Sequence, residues 1–337
     1  MFERTFRCVA VLALSVAVPV AAAEPVTIKL GTIAPDNSPW TTALRTMGAS
    51  WATATDHRIR LTVFAGTIPS ESSAIARMSI DGLQAAMLMI AGLSEIDPGF
   101  NVLGIPFFFE SDQELLHVQQ KLTPLLSRRL EAKGFHLLSW ANGGWVQIFS
   151  KKPIRTVADL QRAKLYTTQG DPEMAQWYTA NGFHAVPLAT GEIPKQLKLP
   201  TGAIDAAPSP PVFALALQFF RDAPYMLDVR VVPLIGATII TDTAWNKVSP
   251  EDRVRMIAAA GAMEKQLFAQ APGLDQKSIG EMKSAGLTVI TLDAAGAAQF
   301  RAAAERLTTT PRGMVPAEVF DLAVRERDSF RRSRAAR

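Results

Sequence analysis

Between Val26 and Ile90 the chain spells strand, helix, strand, helix, strand, and no other feature of the sequence restricts the fold as much. Val26 to Ile33 alternates β-branched with polar residues and breaks at Ala34-Pro35-Asp36-Asn37, a strand running into a turn. Ser38 then offers an N-cap with Pro39 at the first helical position, and Ala43, Met47 and Trp51 recur at helical spacing. Arg58 to Ala65 reads as a second strand, Gly66 to Pro69 as a turn, and Ser70 as the cap of a helix that Gly82 ends. Ala85 to Ile90 is apolar throughout, as suits a parallel strand covered on both faces. That order specifies an α/β protein.

The alternation continues. Ser111 to Glu114 is a capping box opening a helix to about Lys133. Thr156 and Asp159 form a second box ahead of a short helix, and the strand Lys164 to Thr168 follows at once. In an α/β protein ligands gather at the carboxyl ends of strands, which places Tyr166 where a contact is expected. Pro210-Pro211 starts another helix, Val212 to Phe220, and Ser249 to Asp252 caps the longest helical segment. Val254, Ile257 and Ala258 are expected to face inward there, and Pro272-Gly273 to kink or divide it.

Met1 to Ala23 has the basic, apolar and small-residue parts of a secretory signal peptide, and the only cysteine, Cys8, lies inside it. An exported chain without disulfides is held by its core, and just over 300 remaining residues suit two lobes. The net charge of +4 does not indicate nucleic acid, because Arg325 to Arg337 holds six arginines against two acids; this tail reads as solvated and frayed. His57, His117, His136 and His184 lack metal-ligand spacing. Gly-x-Gly-x-x-Gly after the first strand, Gly-Lys-Ser/Thr and Gly-x-Ser-x-Gly are all missing, so neither cofactor nor enzymatic activity is expected. A secreted, cofactor-free, bilobal chain suits hinge closure around a small ligand.

The sequence resembles the solute-binding proteins of TRAP transporters, the DctP family, over nearly all of the chain after the signal. IKLGTIAP followed by Ser38-Pro39-Trp40 resembles the family's first strand and helix, and FAGTIPSE its Gly-x-Leu-Gly-x-Glu turn. IDGLQ and VLGIPFFFE resemble its Gly-x-Ile-Asp and Leu-Pro-Phe-Leu-Phe segments, SKKPIRTVADL its Ser-Lys-x-Pro-Ile-x-Thr-x-x-Asp-Leu, and TGAIDA its Val-Val-Asp-Gly stretch. The resemblance implies a two-lobed periplasmic solute-binding fold with a long hinge-spanning helix, a ligand cleft between the lobes, and TRAP permease subunits as partners. It divides the chain into a first lobe of residues 24–144 plus 235–275, a second of 145–234 plus 276–325, and a basic tail of 326–337.

The family's hallmark arginine lies on the strand after the Asp-Leu helix and forks onto a substrate carboxylate. Here that pattern reads Lys164-Leu165-Tyr166-Thr167. A second family arginine aligns near Val146, next to Trp145; the polar residue after the Val-Asp-Gly segment falls at Ser209; strand ends that are polar in sialic-acid-binding members align with Ile33 and Ile90. The expected site is therefore Tyr166, Trp145, Val146, Trp40, Ile33, Ile90, Ser209 and Phe213, around an apolar or weakly polar ligand. Glu71, at a position resembling a family acid, either binds a polar ligand group or orients a helix. The alternatives are packing of the lobe interface by these residues, an organic-acid receptor using Lys164, Arg155 or Arg162 as its cation, and a sensor or docking protein with the same fold.

Overall fold

The fold, taken from a computed structural model, is described for residues 24–169, 172–308 and 314–335. Met1 to Ala23, where a signal peptide is expected, and Gly170-Asp171 lie outside the described residues. The opening alternation forms β1 (Val26–Thr32), α1 (Pro39–Ala54), β2 (Ile59–Ala65), α2 (Glu71–Ser79) and β3 (Ala85–Met89). These strands are parallel in the order β2-β1-β3. The Ser38 hydroxyl accepts from the Thr41 N–H and Pro39 occupies the first turn, as the sequence requires.

After α3 (Ile90–Ile96) and α4 (Asp112–Glu131) comes β4 (Phe135–Ser150). Then follow α5 (Val157–Arg162), β5 (Lys164–Thr168), α6 (Pro172–Ala180), β6 (His184–Leu188), α7 (Ile193–Lys198), β7 (Ala206–Ser209) and α8 (Pro211–Ala216). The chain returns through β8 (Tyr225–Thr241), α9 (Asp242–Asn246), α10 (Pro250–Ser284), β9 (Thr288–Ile290), α11 (Ala294–Thr308) and α12 (Ala317–Ala335).

Two strands join the halves. β4 and β8 have 16 and 17 residues and pair antiparallel from Phe135↔Thr241 to Ser150↔Tyr225. At one end β3 adds to β8; at the other β7 adds to β4 and β9 to β8. The ribbon thus belongs to both half-sheets, the second of which ends with β5 and β6. α10 has 35 residues, about 50 Å of helix, and packs on α1, β4 and α8. Its length runs through Pro272 without division.

Three sequence expectations are corrected. On α10 the buried face is Met256, Ala260, Met263, Leu267 and Ala271, while Val254, Ile257 and Ala258 are exposed. Both sets have helical spacing; buried Asp252, gripped by Arg58 and Arg255, decides which faces α1. The helix begun at Pro211 stops at Ala216, because Gln218 adopts a left-handed φ of 58°. The C-terminal segment is not frayed: α12 reaches Ala335, and Val315, Val319, Phe320 and Ala323 pack with Leu115, Val118 and Leu122 of α4, hence with the first half rather than the second. Arg331 anchors it, donating to Glu114 at 2.5 Å and to the Phe108 carbonyl at 3.2 Å.

Candidate ligand-binding cleft

β3 ends at Met89 opposite Gly236, and β7 ends at Ser209 opposite Gln147. Both half-sheets therefore aim the carboxyl ends of their strands at the middle of the β4–β8 ribbon, where an α/β fold leaves its crevice. The ribbon is irregular at that place. On β4, Asn142 pairs with Ile235 and Trp145 with Pro233, so Gly143-Gly144 form a bulge. Gly144 has φ 86°, and its N–H donates to the Asn142 side-chain oxygen at 2.9 Å.

On β8 the bulge is larger. Val146 pairs with Val232 and Ile148 with Leu227, so residues 228–231 bow out of the ladder. This bow carries two charges to the ribbon's centre. The Arg230 guanidinium lies 5.1 Å from the Trp145 ring centroid and 3.5 Å from Asp112 Oδ2. Asp228 Oδ1 accepts from Gln147 Nε2 at 3.2 Å. The Trp145 indole N–H donates to Asp112 at 2.8 Å, and its backbone N–H to Asp275 of α10 at 3.2 Å. Burial pushes the Asp275 carboxyl up to about 6; the Trp145 N–H and Arg230 oppose the rise and Asp112 adds to it.

The expected site residues fall into separate groups. Trp145 and Val146 are buried at the centre. Ser209 is buried beside Gln147, its hydroxyl donating to the Pro210 carbonyl. Trp40 of α1 and Phe213 of α8 stack with centroids 4.7 Å apart and planes 3° from parallel. The Trp40 indole donates to the Asn142 carbonyl, and the void beside it holds about 10 Å³, room for one water. This pair joins the halves by direct packing. Tyr166 is half-buried on β5 against Val186 and Leu188, two strands from β4. Ile33 is 40% exposed just past β1. Ile90 is half-buried and opens α3 rather than ending β3. Glu71 is committed to the helix: its carboxylate accepts from the Met89 and Gly92 N–H groups at 2.5 and 2.7 Å, closing the N-terminus of α3.

Of the three suggested replacement cations, two are engaged elsewhere. Lys164 donates to the Gly202 carbonyl at 2.6 Å and Arg162 to Asp159 at 2.5 Å, while Arg155 is exposed beside the α5 cap. Sequence reasoning missed Asp112, Gln147, Asp228, Arg230 and Asp275. The signal for two of them was legible, since Asp228-Val229-Arg230 interrupts an otherwise largely apolar strand. Among the described residues no group of three or more His, Cys, Asp and Glu side chains is placed to hold a metal.

Two α/β halves that share a ribbon and turn their strand ends toward its centre define a two-lobed receptor for a small solute. The chain belongs to the DctP family, bacterial extracellular solute-binding protein family 7, whose model matches residues 30–310. It is 28% identical over 232 residues to the 2,3-diketo-L-gulonate-binding periplasmic protein YiaO of Escherichia coli K12, covering 67% of this chain and 68% of that one. A solute-binding protein of Roseobacter denitrificans is 26% identical over 310 residues, 88% of this chain and 89% of the other. Among solved structures, a TRAP periplasmic solute-binding protein of Pseudomonas putida F1 with bound D-glucuronate has a TM-score of 0.78 at 26% identity, covering 89% of this chain and 96% of that one. DctP7 of Bordetella pertussis, which binds pyroglutamic acid, has a TM-score of 0.79 at 20% identity, over 90% and 99% of the two chains. The family is one of extracytoplasmic receptors, not of enzymes.

Proposed function

We propose that this TRAP-type solute receptor works in the periplasm, closes on a small uncharged and largely apolar ligand, and delivers it to membrane permease subunits. The observation that carries the ligand class is the charge at the ribbon's centre. Asp112 and Asp275 converge there on one cation, Arg230, which already faces Asp112, and Asp228 of the same bow faces Gln147. By the resemblance, Tyr166 and a position near Val146 take the places of the family's two arginines. A carboxylate brought into such surroundings without a free cation loses hydration worth several kcal/mol and meets like charge. The ligand would then differ in charge from the acids named for the P. putida and B. pertussis proteins. Native mass spectrometry and solvent extraction of protein purified from its own host test the reading. A neutral apolar molecule is expected in the cleft, and a bound sugar acid or dicarboxylate overturns it.

A second reading is favoured by those same acids and by the half-exposed Arg230 guanidinium over Trp145. Here Arg230 exchanges Asp112 for a ligand carboxylate on closure. Under the first reading Arg230→Ala leaves D-glucuronate without measurable affinity, as in the parent protein. Under the second, the parent binds an acid and the variant loses at least about tenfold, read by titration calorimetry.

A further inference from the structure

We infer that Gln147 is the polar recognition point of the cleft, accepting a hydrogen bond from a hydroxyl or amide N–H on an otherwise apolar, uncharged ligand. The inference rests on the neutral-ligand reading above and narrows it.

Gln147 sits on the last β4–β7 rung, opposite the terminal residue of β7, and beside the point where the β8 bow leaves the ladder. It is 7% exposed. Its amide nitrogen donates to Asp228 Oδ1, and its amide oxygen is buried with no hydrogen-bond partner. The orientation follows from chemistry, since an ionised carboxylate only accepts and the amide NH₂ group must therefore face Asp228. The oxygen on the other side is left needing a donor. Ser209, the nearest hydroxyl in register, spends its proton on the Pro210 carbonyl.

A buried acceptor of this kind discriminates strongly, because it gains a partner only from a ligand that brings an O–H or N–H. Asp228 behind the amide opposes an anionic head group, and Arg230 in the same bow opposes a cationic one. Joined to the neutral-ligand reading, the chemistry selected is an apolar body with one neutral donor, such as an alcohol or a primary amide.

The probes are 1-decanol, decyl methyl ether and decanoate, each titrated into the full-length mature protein below its solubility limit. The alcohol is expected to bind about tenfold more tightly than the ether, and Gln147→Leu to remove that gap by weakening the alcohol alone. Asp228→Asn, which frees the amide to turn over, is expected to narrow it. Equal affinity of alcohol and ether in the parent protein overturns the role of Gln147, as does an unchanged gap in Gln147→Leu. If that variant does not fold, the parent's alcohol-to-ether ratio still decides. Decanoate binding more tightly than the other two overturns the neutral-ligand reading itself, and failure of all three to bind overturns both.

Discussion

Asp275 is the residue whose surroundings and charge are most at odds. Its carboxylate is tied to the Trp145 N–H, one oxygen is buried without a partner, and Asp112 lies near. Its carboxyl is raised from 3.8 to about 6, so between those values the folded chain holds a proton that the unfolded chain has released. The stability it contributes is full below the lower value, fades as pH rises through the interval and is gone above about 6. Asp275→Asn keeps an acceptor for Trp145 and removes the charge. It is expected to raise the unfolding temperature at pH 7.5 by about 2 °C, corresponding to about 1 kcal/mol after allowing for solvent screening, with no gain at pH 4. Equal melting curves at pH 7.5 would show that ionised Asp275 costs the fold nothing. At this scale the sequence was legible where chemistry is local. Glu71 as an organiser of a helix was one of the two readings offered, and its two backbone donors are what the structure adds.

Among the elements, α12 shows how a charge run misleads when its partner is distant in sequence. Six arginines in thirteen residues read as a solvated tail, yet Arg331 reaches Glu114, whose side chain is only 2% exposed, and Arg327 lies 4.4 Å over the Phe108 ring. The turn so held contains Phe107, which has a left-handed φ of 60°, donates to the Val231 carbonyl and packs with residues of the second half. Arg331→Ala leaves Glu114 buried with one cation fewer. A loss of about 1–3 kcal/mol is expected in denaturant unfolding, and a change below about 0.5 kcal/mol would reduce the contact to a surface pair. The β8 bow was illegible for a related reason. Nothing in Tyr225 to Thr241 says which residues leave the ladder, because register is set by the partner strand and here the partner is β4.

For the whole molecule, two connections cross between the halves, the β4–β8 ribbon and α10, and they meet at Gly144 and Asp275; the closure proposed above would bend here. A Cβ on Gly144 would lie 2.5 Å from Asp275 Oδ2, and the residue's φ of 86° disfavours any L side chain. Gly144→Ala must therefore turn the Asp275 carboxylate off the Trp145 N–H or shift α10 away from the ribbon. A destabilisation of about 1–3 kcal/mol is expected, with a larger radius of gyration in small-angle scattering; unchanged scattering and stability would remove this contact from the hinge. The α/β class, the order of the elements, the helix caps and the family were all written locally, in apolar periodicity, capping residues and motifs spaced along the chain. The centre of the cleft was not. Gln147, Asp228, Arg230, Asp112 and Asp275 come from two strands and two helices far apart in sequence, brought together by two bulges and one long helix. Which face of α10 turned inward was likewise decided by Asp252 meeting Arg58 across 194 positions. Local sequence sets what each segment forms, and only packing between segments sets which side chains meet.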